Sequence, residues 1–107
     1  MQQITPSDLA AWLADAGRDK PVLLDVREPW EFEKARIEGA QLVPMRDIQS
    51  RIAEIDPDKE VVAFCHLGGR SMQVALFLER QGFTRVHNLL GGIDAWSRTV
   101  DPKVPLY

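Results

Sequence analysis

The chain contains a single cysteine, Cys65, within the run Cys65-His66-Leu67-Gly68-Gly69-Arg70-Ser71. The strand-sized apolar segment Val61-Val62-Ala63-Phe64 comes directly before it, and a helical pattern follows. A strand that turns straight into a helix makes an anion pocket. Successive backbone N–H groups converge in the turn, and the helix N-terminus behind them adds partial positive charge. Gly68 and Gly69 are expected to supply backbone angles and close approaches that a side chain would block. A thiol at the mouth of such a pocket has its thiolate favoured and becomes a nucleophile near neutral pH. Arg70 can offer forked hydrogen bonds to a bound oxyanion, and Ser71 suits a helix cap or a brace for the loop. His66, beside the thiol, reads as an exposed loop histidine, and Leu67 completes the loop. Taken singly, a lone cysteine is more often inert packing and a Gly-Gly pair only a turn. Together they form one chemical unit.

Other chemistries are narrowed by composition. One cysteine makes no internal disulfide, no CxxC redox pair and no cysteine-based zinc site. His66 and His87 are distant in sequence, so no metal site and no cofactor are expected. Thirteen Lys and Arg stand against sixteen Asp and Glu, a net charge of −3. That balance argues against a general nucleic-acid surface or an anionic-membrane surface. No apolar run reaches membrane-spanning length. The start, Met1-Gln2-Gln3-Ile4-Thr5, lacks the basic and apolar stretches of a signal peptide, so a cytoplasmic location is expected.

The elements that must position the cysteine can be read from periodicity and breakers. The 107 residues, 45% hydrophobic and free of repeats or linkers, suit a single domain over 1–107. Thr5, Pro6 and Asp8 open a helix whose Leu9, Trp12 and Leu13 share a face, with Gly17 expected to end it. Val22 to Val26 and Val61 to Phe64 read as buried strands. Pro29 to Lys34 predicts a short helix, Gln41 to Val43 a short strand, and Arg46 to Ile55 a helix. Ser71 to Gln81 predicts a helix apolar over most of its circumference, Arg85 to Asn88 a strand, and Ile93 to Arg98 a last helix after the Gly91-Gly92 turn. Strands alternating with helices imply an α/β fold, a central parallel sheet with helices on both faces. Ligands of such sheets bind at the carboxyl ends of the strands. Both the cysteine loop and Asp25-Val26-Arg27-Glu28 fall there. Asp25 and Arg27 are expected to brace the cysteine loop, against the plainer alternative of a surface Arg27–Glu28 pair. Trp12 and Trp96 read as core residues. Trp30 is open between lining the pocket and covering the sheet edge.

The cysteine run resembles the active-site loop of the rhodanese sulfurtransferases, C-x-x-G-x-R-S. Leu24 to Glu28, with Glu31-Phe32 and Ile37-Glu38-Gly39-Ala40, resembles that family's D-V-R-E, E-F/Y and G-H-I-x-G-A segments. Asn88 to Trp96 is similar to its L-x-G-G-x-x-A-W segment. The match covers nearly the whole chain and looks like the small single-domain type, with a three-layer rhodanese-like fold. One departure stands out: Ala35-Arg36 replaces the family's Gly-His before the isoleucine, and Arg36 is expected to face solvent.

The resemblance implies a two-step, ping-pong sulfur transfer. Cys65 would take the outer sulfur of thiosulfate or a similar donor as a persulfide and pass it to an acceptor. That acceptor would be cyanide in vitro, and a thiol or a sulfur-accepting protein in the cell. The loop amides of residues 66 to 71 would hold the anionic persulfide without a metal, with Arg70 holding the donor or serving structure. With no second thiol, the sulfur must leave to an external acceptor. Two other readings are weighed. Cysteine-dependent phosphatases and arsenate reductases also use a Cys…Arg loop, but the phosphatase loop has five residues between Cys and Arg, and here there are four, His66 to Gly69. Non-catalytic rhodanese-like regulatory modules typically lack the cysteine.

Overall fold

The computed structural model describes all residues, 1–107. In chain order its elements are β1 (Gln2–Ile4), α1 (Pro6–Ala14), β2 (Val22–Asp25), α2 (Pro29–Lys34), β3 (Gln41–Leu42), α3 (Ile48–Arg51), β4 (Val61–Phe64), α4 (Gly69–Arg80), β5 (Val86–Leu89) and α5 (Gly92–Thr99). The strands form one sheet in the order β1-β5-β4-β2-β3, parallel at every pairing. β4 is therefore the middle strand, and whatever follows Phe64 emerges at the centre of the carboxyl edge.

Side-chain alternation sorts the core into two layers, as the two-residue period of a strand requires. Leu24, Val61 and Cys65 pack with Ile48, Val74 and Leu78, so α3 and α4 cover one face. Leu23, Val62 and Phe64 pack with Leu9, Trp12 and Trp96, so α1 and α5 cover the other. Both central strands are buried throughout or nearly so, which is why they read as unbroken apolar runs. The expected α/β architecture, with helices on both faces of a parallel sheet, is what the chain adopts.

Several local expectations are corrected. α1 is capped by Thr5, whose Oγ1 accepts from Asp8 N at 3.1 Å, but it ends at Ala14, ahead of Gly17. The helix expected over Arg46 to Ile55 is a single α-turn, α3, between 3₁₀ turns at Met45–Asp47 and Ile52–Glu54. α4 starts at Gly69 rather than Ser71, so Arg70 and Ser71 belong to its first turn. Its buried face is Ser71, Val74, Ala75 and Leu78, while Met72 and Leu76 are exposed. β1 had no counterpart in the sequence reading. It is an edge strand of three residues with two exposed side chains, held to β5 by backbone pairing, and such a strand leaves no periodic trace.

Candidate active site

Cys65 follows the last residue of β4 and is buried. The loop turns sharply at Gly68, whose φ of +111° lies in the region that L side chains disfavour. Gly69 differs from expectation: its φ is ordinary, and a Cβ there would meet nothing within 4 Å. The turn aims α4 at the sulfur. Gly68 N–H donates to Cys65 Sγ at 3.1 Å and Ser71 N–H does so at 3.5 Å. Burial alone raises the Cys65 thiol. The Ser71 hydroxyl, the Ser71 and Gly68 amides and the charge of Arg70 outweigh that and leave it below its ordinary value of 9. The amides are the firmer donors, because Ser71 has one proton and Asn88 Oδ1 lies nearer to it, at 2.5 Å against 3.4 Å for the sulfur.

The loop is held from three directions. From β5, the buried Asn88 accepts from Ser71 Oγ and donates to Gly68 O at 3.3 Å and to Gln3 Oε1 at 3.0 Å. From the start of α5, Ile93 N–H donates to Cys65 O at 2.9 Å and Asp94 N–H to His66 O at 3.1 Å. That docking requires Gly92. Its φ is +63°, and a Cβ on it would stand 2.3 Å from His66 O and 2.6 Å from Cys65 O.

The third support is ionic. Arg70 lays its fork on the Glu31 carboxylate, Nη1 to Oε1 at 2.7 Å and Nη2 to Oε2 at 2.9 Å. The fork expected to receive an oxyanion is thus already occupied, and Arg70 acts on Cys65 through its charge. Glu31 is buried, and the hydrogen bonds from Arg70 outweigh that burial and bring its carboxyl down to about 2. Glu31 Oε1 also accepts from Glu28 N–H at 3.0 Å, which ties the pair to the start of α2.

Beneath this pair lie Asp25 and Arg27, both with no exposure to solvent. Arg27 Nε and Nη2 donate to Asp25 Oδ1 at 2.9 Å and Oδ2 at 2.7 Å. Its remaining guanidinium N–H groups go to Glu31 O, Ala35 O and Tyr107 Oη. Every donor of a buried guanidinium is therefore used, which is the condition for keeping such a charge inside. The surface Arg27–Glu28 pair does not form; Glu28 instead meets Arg46.

Tyr107 was not anticipated as a site residue. Its hydroxyl donates to Glu31 Oε2 at 2.7 Å and accepts from Arg27 Nη1 at 2.9 Å. Its ring stacks on His66, centroids 4.0 Å apart and planes within 14°. His66 is accordingly not a free loop histidine: it is half-buried under Tyr107, and its Nε2 is buried with no partner. Trp30 is 56% exposed and meets Tyr107 edge-on, ring centroids 6.0 Å apart. Arg36 is exposed, as expected, and its guanidinium lies 4.9 Å from the Phe32 ring centroid. His87 sits on β5, edge-on to Trp12 and 3.2 Å from Glu60 Oε1, away from the loop.

Comparison with known proteins shows the family and the fold. A family described as the Rhodanese-like domain matches residues 5–99. A protein of Allochromatium vinosum named Sulfurtransferase is 40% identical over 98 residues, covering 92% of this chain and 90% of that one. The chloroplastic Rhodanese-like/PpiC domain-containing protein 12 of Arabidopsis thaliana is 45% identical over 96 residues, 83% of this chain. The match covers only 31% of that longer protein's own length. The crystal structure of a rhodanese-like domain protein from Staphylococcus aureus superposes with a TM-score of 0.86 at 27% identity, covering 100% of this chain and 99% of the other. Sequence and fold agree over nearly the full length, and the chain belongs to the rhodanese-like domain family.

Proposed function

We propose that the protein is a cytoplasmic sulfurtransferase that carries a sulfane sulfur on Cys65. The observation that supports this most is the aim of α4. Its leading amides, Gly68 and Ser71, point at Sγ from 3.1 and 3.5 Å, and they stabilise a sulfur anion with no metal. In the first step the Cys65 thiolate attacks the outer sulfur of thiosulfate. A new S–S bond forms to Cys65, the donor's S–S bond breaks, and sulfite leaves with the bonding pair. The charge then rests on the terminal sulfur of the persulfide, within reach of the same amides. In the second step a nucleophile takes that sulfur, as cyanide does to give thiocyanate, and the thiolate is restored. Because Cys65 is the chain's sole cysteine, the acceptor is external. Leu67 is 65% exposed within the loop itself, and an exposed apolar side chain there suits a thiol carried by a protein.

Mass spectrometry of the intact protein tests the reading. After thiosulfate, the protein should gain the mass of one sulfur, dithiothreitol should remove it, and Cys65→Ser should show no gain. No gain in the wild type, together with hydrolysis of p-nitrophenyl phosphate, would overturn it in favour of a phosphatase. No gain and no hydrolysis would leave a non-catalytic module.

A further inference from the structure

Tyr107 touches the cysteine loop through chemically different parts of one side chain. Its hydroxyl joins the Glu31–Arg70 pair, and its ring covers His66, the residue next to the nucleophile. Neither contact is local: Tyr107 lies 76 positions from Glu31 in sequence. The hydroxyl also accepts from Arg27 Nη1 at 2.9 Å. We propose that Tyr107 is a positioning residue, which sets how strongly Arg70 acts on Cys65 by sharing the Glu31 carboxylate and which fixes the Cys65–His66 backbone by stacking.

The physical chain is short. Glu31 and Arg70 carry opposite charges, and Glu31 opposes the field that Arg70 exerts at Cys65. A hydrogen bond from the Tyr107 hydroxyl draws charge on Oε2 toward itself and away from Arg70 Nη2, 2.9 Å off. Removing the hydroxyl leaves that oxygen to Arg70 alone. Arg70 is then more fully neutralised, and the thiolate loses part of its support. Other charged or titratable groups near Tyr107 are Arg27 beneath it and His66 against its ring. The ring contact is separable, because phenylalanine preserves the stack and leucine does not.

This inference rests on the sulfurtransferase reading of Cys65, but its first readout does not. The rate of alkylation by iodoacetamide against pH reports the thiolate directly, and a single thiol makes the signal unambiguous. In Tyr107→Phe the midpoint should move up by about half a unit, lowering alkylation near neutral pH by ~3-fold. The far-UV spectrum and the thiosulfate KM should stay near wild type while the rate of persulfide loading falls. In Tyr107→Leu, loading should fall further, since the stack is lost as well. A Tyr107→Phe midpoint that is unchanged or lower overturns the inference, whatever Tyr107→Leu does. A wild type that alkylates as expected but never loads sulfur would instead refute the sulfurtransferase reading and leave the positioning role standing on the alkylation profile.

Discussion

Gly92→Ala probes whether the second glycine turn is a structural part of the cysteine loop. The added methyl would come within 2.3 Å of His66 O and 2.6 Å of Cys65 O and of the His66 carbonyl carbon. All are backbone atoms, so no rotamer change relieves the overlap. The left-handed φ of +63° costs an alanine about 1–2 kcal/mol on its own. Separating the turns enough to admit the methyl stretches the Ile93 N–H to Cys65 O and Asp94 N–H to His66 O bonds, worth about 1 kcal/mol each. The expected loss is therefore ~3–4 kcal/mol, below the ~5–15 kcal/mol that stabilises a typical domain, so the variant should still fold. Gly82→Ala is the control: φ is +98° and nothing lies within 4 Å of a Cβ, so only the backbone cost of about 1–2 kcal/mol applies. Urea denaturation of both variants gives the comparison, and Cys65 alkylation should slow in Gly92→Ala alone. If Gly92→Ala costs no more than Gly82→Ala, the reasoning that couples the two loops is wrong.

Other expectations test the ionic support. Arg27→Met strands the buried Asp25 carboxylate and should cost about 3–5 kcal/mol; adding Asp25→Leu should recover part of that loss, as a double-mutant cycle in denaturant would show. Because the Glu31 carboxyl is brought down from 4.5 to about 2, its stabilisation is fully present above pH 4.5 and is lost as pH falls toward 2. The stability gap between wild type and Glu31→Gln, measured in a pH series, should close over that interval. Tyr107 is the sole tyrosine and is pushed up to about 12, chiefly by burial. Its phenolate absorbance should rise with a midpoint near 12 instead of 10, and the stability it contributes below pH 10 should be lost as pH rises toward 12.

Those parts of the candidate site that lie together along the chain are legible in the sequence. Cys65 to Ser71 is one contiguous turn, and a buried strand running into a helix places its amides by backbone geometry alone. The same holds for β2, α2 and β4, whose apolar runs and Pro29 mark them locally. Arg46 to Ile55 was less legible. Ile48, Ile52 and Ile55 keep a helical spacing, yet only Ile48 and Ile55 are buried and the backbone tightens to 3₁₀ on either side of α3.

What the chain alone determined is one cysteine between a buried strand and a helix, with the contiguous amides of residues 66–71 beside it and no second thiol in the sequence. What only the tertiary structure decided is who holds Arg70. Glu31 lies 39 positions from Arg70 and 76 from Tyr107, and Asn88 lies 17 positions from Ser71. Partnerships over such separations depend on which strands become neighbours and how deeply each side chain is buried. Asp25 and Arg27 show the same dependence at close range. The sequence leaves Arg27 open between a surface pair with Glu28 and a brace, and its complete burial, with every guanidinium N–H used on Asp25, Glu31, Ala35 and Tyr107, rules out the surface pair. Charge leaves no periodic signature, so its pairing is settled by the low-dielectric interior that folding creates.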